Sequence, residues 1–221
     1  MSRIWTYGER LKDEVNAEGE NFRKYVMELI VALGNPGPDY ENTRHNIAWS
    51  LLSVIIKNAC MSEPHESGMF SGNVCVGNLF GKEVRFLFPT TFMNNSGVAV
   101  KKALDCEPLS SLIVIHDEVD LPFGTIRIAE GRGAGGHNGV KSIISEIGSK
   151  DFVRIRIGVA KKNIFGIVKR PQGDKLGDFV LGELSKKEQE QLPELVKKVT
   201  RAIELMYTKD VKVAMTEINS K

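Results

Sequence analysis

The chain has 221 residues, 42% hydrophobic and 26% charged, which excludes a disordered or fibrous protein and suits one α/β domain with a short appendage. Its formal net charge of +2 sets up no global field for nucleic acid, so any such surface must be local. No apolar run approaches the ~20 residues that cross a bilayer, and Cys60, Cys75 and Cys106 stand in no metal-ligand spacing and read as small buried residues of a reducing compartment.

Residues 1–25 are polar and of mixed charge. Met1 to Tyr7 make no signal peptide, and Glu9, Asp13, Glu14, Glu18 and Glu20 argue against an organellar transit segment. The expectation is an N-terminal appendage over 1–25, a core domain over 26–221 and a cytoplasmic protein without membrane contact. Met27 to Leu33 is apolar and stops at Gly34, as a buried strand does. The Gly34-Asn35-Pro36-Gly37-Pro38 loop follows. A helix is expected from about Thr43 to Ala59, with Ile47, Leu51, Val54 and Ile55 on one face. Asn73 to Leu79 and Glu83 to Phe88 flank Phe80-Gly81 as a hairpin. A second helix runs from about Met93 to Leu104. Leu112 to Ile115 reads as another buried strand with His116, Asp117 and Glu118 at its end, and Thr125 to Ala129 as a further strand. The glycine loop Gly131 to Gly136 leads into a helix from about Asn138 to Ile147. Phe152 to Val159 alternates as a strand, a basic loop occupies 161–175, and the end is helical over about 186–207 and 211–218. Strands alternating with helices define an α/β layer fold, and the hairpin makes its twisted sheet mixed.

Polar side chains gather at the ends of apolar strands, where an open α/β sheet places its ligand crevice. Asn35 follows the first strand, His45 and Asn94 open the first two helices, Asp117 follows the strand at 112–115, and His137 and Asn138 open the third helix. Each alone has an ordinary reading as a turn, cap or satisfied core residue. Their convergence from four segments is what marks them. The glycine loop lacks the Gly-Lys-Ser/Thr ending of a P-loop and the acidic residue of a dinucleotide fingerprint. Its small residues instead let a bulky ligand approach backbone beside a helix N-terminus. His45, His116 and His137 form no HExxH pattern and have no cysteine partners, so no metal is expected. No GxSxG elbow supplies a serine nucleophile.

Gly34-Asn35-Pro36-Gly37 with Thr43-Arg44-His45-Asn46, then Pro89-Thr90-Thr91-Phe92-Met93-Asn94-Asn95-Ser96-Gly97, then His116-Asp117-Glu118-Val119-Asp120-Leu121-Pro122, and then Gly135-Gly136-His137-Asn138-Gly139 resemble, in order and spacing, the four signatures of bacterial peptidyl-tRNA hydrolases. The likeness covers about 27–215. It implies hydrolysis of the ester between peptide and tRNA by water, without metal or cofactor, in a monomer. By the same resemblance His45 is the base, and Asp117 holds and polarises it. The chemistry is sound, because an imidazole of ordinary pKa about 6.5 can take a proton from water as it attacks. A carboxylate on the other ring nitrogen fixes the tautomer and stabilises the imidazolium. A first helical turn disfavours charge on His45 while Asp117 favours it, so a base poised near working pH is expected.

Asn35 joins this catalytic set as the residue that tells N-blocked peptides from free aminoacyl groups. Asn94 and Asn138 resemble the amides that hold peptide and terminal nucleotide, and Tyr40 and Phe92 the aromatic contacts. Asn94 is also the amide favoured as donor to the oxyanion, and Met93 reads as pocket wall. His137 is expected nearer the tRNA than the water. Arg156 matches one of two cations that grip the tRNA 5′ phosphate, but the matching lysine position is Ala129, with Arg127 or Arg132 as substitutes. Lys150 to Lys175, rich in lysine and arginine, is the expected tRNA path. The glycine loop is interrupted at Ala134, and 1–25 and 161–175 look longer than the family requires. The alternative is a non-catalytic RNA-binding protein of the same fold, like organellar splicing factors. Intact Asn35, His45, Asn94, Asp117 and Asn138 favour the enzyme.

Overall fold

Continuous apolar runs, unlike alternating ones, need cover on both faces. The two strongest runs lie at the centre of the sheet. A computed structural model describes residues 27–104, 107–161, 168, 170, 171 and 173–220. In it β1 (Glu28–Ala32) pairs in parallel with β5 (Leu112–Pro122) on one side and with β4 (Lys82–Pro89) on the other. With β2 (His65–Ser67), β3 (Gly72–Leu79), β6 (Ile126–Glu130) and β7 (Val153–Ala160), the described residues form a seven-stranded sheet ordered β2-β3-β4-β1-β5-β7-β6. β4, β1, β5 and β7 run parallel, while β2, β3 and β6 are antiparallel additions toward the edges. The β3–β4 hairpin turns on Phe80 and Gly81, both at positive φ (51° and 81°), the handedness that matches strand twist.

Helices cover the sheet from both sides. Ile30, Ala32, Ile113 and Ile115 pack against Leu51, Leu52 and Ile55 of α1 (Ile47–Asn58), and against Val199 and Ile203 from a later helix. Leu29, Val31, Leu112 and Val114 pack on the opposite face against Val100 and Ala103 of α2 (Ser96–Leu104) and Val140 and Ile143 of α3 (Asn138–Ile147). The chain closes with α4 (Asp174–Leu181), α5 (Lys186–Gln189), α6 (Leu192–Thr208), which carries Val199 and Ile203, and α7 (Val211–Asn219). The mixed, helix-flanked α/β sheet is as expected, and no described helix is long and apolar enough to cross a membrane.

Four details differ from expectation. The first helix opens with a 3₁₀ turn at Arg44–Asn46, and Val54, 42% exposed, leaves the buried face to Leu52 and Ile56. β5 does not stop at Ile115; parallel pairing with β7 continues to Glu118 opposite Gly158, so His116, Asp117 and Glu118 lie inside the strand. α4 occupies the end of the stretch read as loop. The proposed appendage at 1–25, and 162–167 of the basic loop, lie outside the described residues.

Candidate active site

Asp117 is reached from two sides. His45, in the 3₁₀ turn before α1, places Nδ1 2.8 Å from Asp117 Oδ1, and His137, N-cap of α3, places Nε2 2.9 Å from the same oxygen. The protons can be assigned by elimination. Val140 N–H donates to His137 Nδ1 at 3.3 Å, so that ring carries its proton on Nε2 and donates to Asp117. The carboxylate likewise accepts a hydrogen bond from His45 Nδ1–H, and His45 Nε2 keeps its lone pair with no described protein group bonded to it. Burial disfavours the His45 imidazolium, but the Asp117 charge and hydrogen bond outweigh it, and the group titrates above its usual 6.5. Burial would raise Asp117, yet the two imidazoles hold it well below the usual carboxylate range.

His137 thus bonds the carboxylate directly, and its side chain is 9% exposed. His116 lies beneath it, ring centroids 4.6 Å apart, and donates from Nδ1 to the Asp117 carbonyl at 2.7 Å. Complete burial, with His137 beside it, pushes its pKa well down, so it is a neutral packing partner. His45, Asp117 and His137 also offer ligand atoms within 4.8 Å of one another, as a metal site does. The donor set does not suit a metal ion, because the His137 nitrogen facing the carboxylate is the protonated one.

Asn35, 7% exposed, ends the first strand's turn. Its Oδ1 accepts from Met93 N–H at 2.8 Å, while its N–H and C=O are held by Asn46 Oδ1 (2.9 Å) and Nδ2 (2.8 Å). The Nδ2 group of Asn35 is what remains for a ligand. Met93 is buried wall, as expected. Phe92 before it is 53% exposed and sits at φ 57°, ψ 158°, a backbone region that costs a non-glycine residue about 1–3 kcal/mol. Asn35 on Met93 N–H, and Asn95 N–H on the Phe92 carbonyl at 3.0 Å, hold it there. The ring meets Tyr40 edge-on at 6.3 Å, bringing the two predicted aromatics together. Asn94 and Asn138 line one polar groove of about 370 Å³ between α2 and α3, with Lys141, Ser142 and Ser145.

Arg156 lies elsewhere. Arg127, Arg132, Arg154 and Arg156 line a cavity of about 530 Å³ with Glu118 and with Gly133, Ala134 and Gly135 of the glycine loop. Arg156 donates through Nε and Nη2 to Glu118 Oε2, both at 2.9 Å. Arg154 is buried and donates Nη1 to the Gly133 carbonyl at 2.8 Å, and its Nε and Nη2 have no partner among the described residues. Arg127 and Arg132, offered as substitutes for the absent lysine, both reach this cavity, whereas Ala129 adds no charge. By sequence Asn46 has no separate role, and Arg154 counts only among the cations of the 150–175 segment, not as the partner of Arg156. Arg154 was findable, because it stands two before Arg156 on a strand and so shares its face.

An α/β sheet that carries an imidazole–carboxylate pair among neutral amides, with a separate cavity of arginines, is of a class equipped for general-base hydrolysis. The sequence model of the family described as peptidyl-tRNA hydrolase matches residues 29–221. The chain belongs to that family. A peptidyl-tRNA hydrolase of Syntrophotalea carbinolica is 39% identical over 198 residues, spanning 88% of this chain and 98% of its own. One of Aliarcobacter butzleri is 42% identical over 199 residues, with the same coverage of 88% and 98%. The crystal structure of peptidyl-tRNA hydrolase from Acinetobacter baumannii superposes with a TM-score of 0.77 at 30% identity, covering 91% of this chain and 98% of that one.

Proposed function

We propose that this protein hydrolyses the ester between peptide and tRNA in peptidyl-tRNA, releasing free tRNA for reuse in translation, with His45 as general base. The observation that carries the assignment is the pairing of His45 Nδ1 with Asp117, which leaves Nε2 unprotonated and available to water. Water held at Nε2 attacks the ester carbonyl as its proton passes to the imidazole. Asp117 stabilises the imidazolium formed, and His137, donating to the same oxygen, orients the carboxylate. The exposed amide of Asn94 donates to the developing oxyanion. The proton on His45 then leaves with the ribose oxygen as the ester bond breaks.

Asn94 and Asn138 bind peptide and terminal nucleotide along their groove, and Tyr40 with Phe92 gives the substrate an aromatic rim. The selectivity argument is sharpened by geometry. With Oδ1 engaged by Met93, Asn35 offers a donor. An N-blocked substrate presents an acyl carbonyl at its α-nitrogen, whereas a free aminoacyl group presents an ammonium that no N–H donor satisfies. Arg156 and Arg154 take a tRNA phosphate in the arginine cavity, with Arg154 supplying the cation that Ala129 does not. All these groups come from one chain, which accords with a monomer working where translation runs.

The test is hydrolysis of N-acetyl-aminoacyl-tRNA by the wild-type protein and by His45→Ala. Turnover should fall by at least ~10²-fold in the variant, the usual floor for losing a general base, with tRNA affinity little changed. Near-normal turnover by His45→Ala would overturn the assignment. Tight tRNA binding without any wild-type hydrolysis would favour the RNA-binding alternative.

A further inference from the structure

Asn46 follows the proposed base in sequence and is 1% exposed, out of reach of any substrate. Its amide closes a two-bond ring on the Asn35 backbone, accepting from the N–H at 2.9 Å and donating to the C=O at 2.8 Å. The sheet cannot do this job. Leu33 N–H still bonds the Ile115 carbonyl at 2.9 Å, but two residues later the chain has left the ladder, and Pro36 has no N–H to contribute. A carboxamide offers a donor and an acceptor side by side, so Asn or Gln can pair with both backbone groups of one residue. Asn35 in turn fixes Met93, one residue before Asn94. One buried side chain thus links the turn of His45, the loop of Asn35 and the turn of Asn94.

We infer that Asn46 is a positioning residue for substrate selection, which sets the Asn35 backbone so that the free Nδ2 donor meets the acyl carbonyl of an N-blocked peptide. This rests on the selectivity role proposed for Asn35. Asn46 touches neither the substrate nor Asp117. Its loss should blur discrimination without changing how His45 titrates.

The experiment compares kcat/KM for N-acetyl-aminoacyl-tRNA with kcat/KM for the unblocked aminoacyl-tRNA. Asn46→Ala should narrow that ratio by about tenfold, the effect of misplacing one hydrogen bond. The pH midpoint of its acid limb on the N-acetyl substrate should stay where the wild type has it. Asn35→Asp should narrow the ratio too, because its carboxylate accepts an ammonium. Adding Asn46→Ala to Asn35→Asp should narrow it no further, since the first acts through the second. A ratio narrowed by Asn35→Asp but unchanged by Asn46→Ala overturns this inference alone, as does additive narrowing in the double variant. An unchanged ratio in Asn35→Asp overturns the Asn35 assignment and the inference with it. If Asn46→Ala does not fold, Asn46→Asp decides the question by the same comparisons. It keeps the side chain's size and its acceptor, and sets an oxygen against the Asn35 carbonyl.

Discussion

At the scale of single residues, one oxygen of Asp117 accepts from His45 and His137 together, so the carboxylate is both buried and over-determined in direction. The proposed base works only when His45 is neutral. Burial lowers its pKa but Asp117 raises it further, so the rate should fall as pH drops through a midpoint higher than that of a free imidazole. Asp117→Asn removes the charge that raises His45 and leaves the burial that lowers it. The midpoint should therefore move to lower pH. Turnover on the plateau should also fall, by on the order of 10²-fold or more, because an amide can donate to Nδ1 and force the proton onto Nε2. A pH–rate profile of each protein on N-acetyl-aminoacyl-tRNA measures both effects. A midpoint unmoved by the substitution would mean that Asp117 does not set the titration of His45.

At the scale of elements, the amide groove depends on how closely α2 and α3 approach. Gly97 in α2 lies against the backbone carbonyl of Ser142 in α3, and its N–H donates to Ser142 Oγ at 3.0 Å. A methyl group at Gly97 would meet that carbonyl oxygen and its carbon, and backbone atoms of a helix cannot swing aside. Gly97→Ala should part the two helices, with an overpacking cost of roughly 1–3 kcal/mol, or about 2–4 °C in Tm for each kcal/mol in a chain of this size. Asn94 and Asn138 line the groove between those helices, so kcat/KM for N-acetyl-aminoacyl-tRNA should fall while the pH midpoint set by the His45–Asp117 pair, which lies outside the contact, stays in place. Gly68→Ala is the control. A methyl group there meets nothing within 4 Å, and the backbone does not need a glycine. Thermal melts and steady-state kinetics of the two variants check this, and equal behaviour would show that the groove does not rest on the Gly97 contact.

At the scale of the whole molecule, a net charge of +2 conceals a local concentration of cations. Four arginines face one cavity, and burial together with Arg156 and Arg132 depresses the pKa of Arg154, as expected for like charges crowded together. Such a cluster favours a phosphate, whose binding releases counterions. Arg156→Ala should weaken full-length tRNA and reduce the log–log slope of affinity against salt by roughly 0.7–0.9. Cleavage of a minimal ester lacking the acceptor stem should hardly change. Equal losses on both substrates would mean that Arg156 supports the pocket through Glu118 instead. No loss on either would move the tRNA path away from this cavity.

What the sequence determined by itself were the elements and the chemistry available at their ends. Leu29–Ala32 and Leu112–Ile115 are apolar on both faces, which only a strand covered from two sides satisfies, and Phe80-Gly81 dictates a hairpin. Asn35, His45, Asn94 and Asn138 were legible because each stands in a turn or at an element's end, where local rules apply, and Asp117 because a carboxylate after an apolar run stands out. Tertiary structure decided how these residues face one another, because hydrogen-bond partners 11 to 72 residues apart leave no local trace. The direction of His137 was one such matter. As an N-cap it looks alike whether its ring faces solvent or Asp117, and the hydrogen bond that Nδ1 accepts from Val140 N–H fixes which nitrogen meets the carboxylate. The course of β5 through Asp117 was another, set by pairing with β7 rather than by the polar residues, which on their own read as the strand's end. The cation standing beside Arg156 was decided in the same way: Arg154 joins it by strand periodicity, but their shared cavity is closed by Arg127, Arg132 and Asn219 from distant segments.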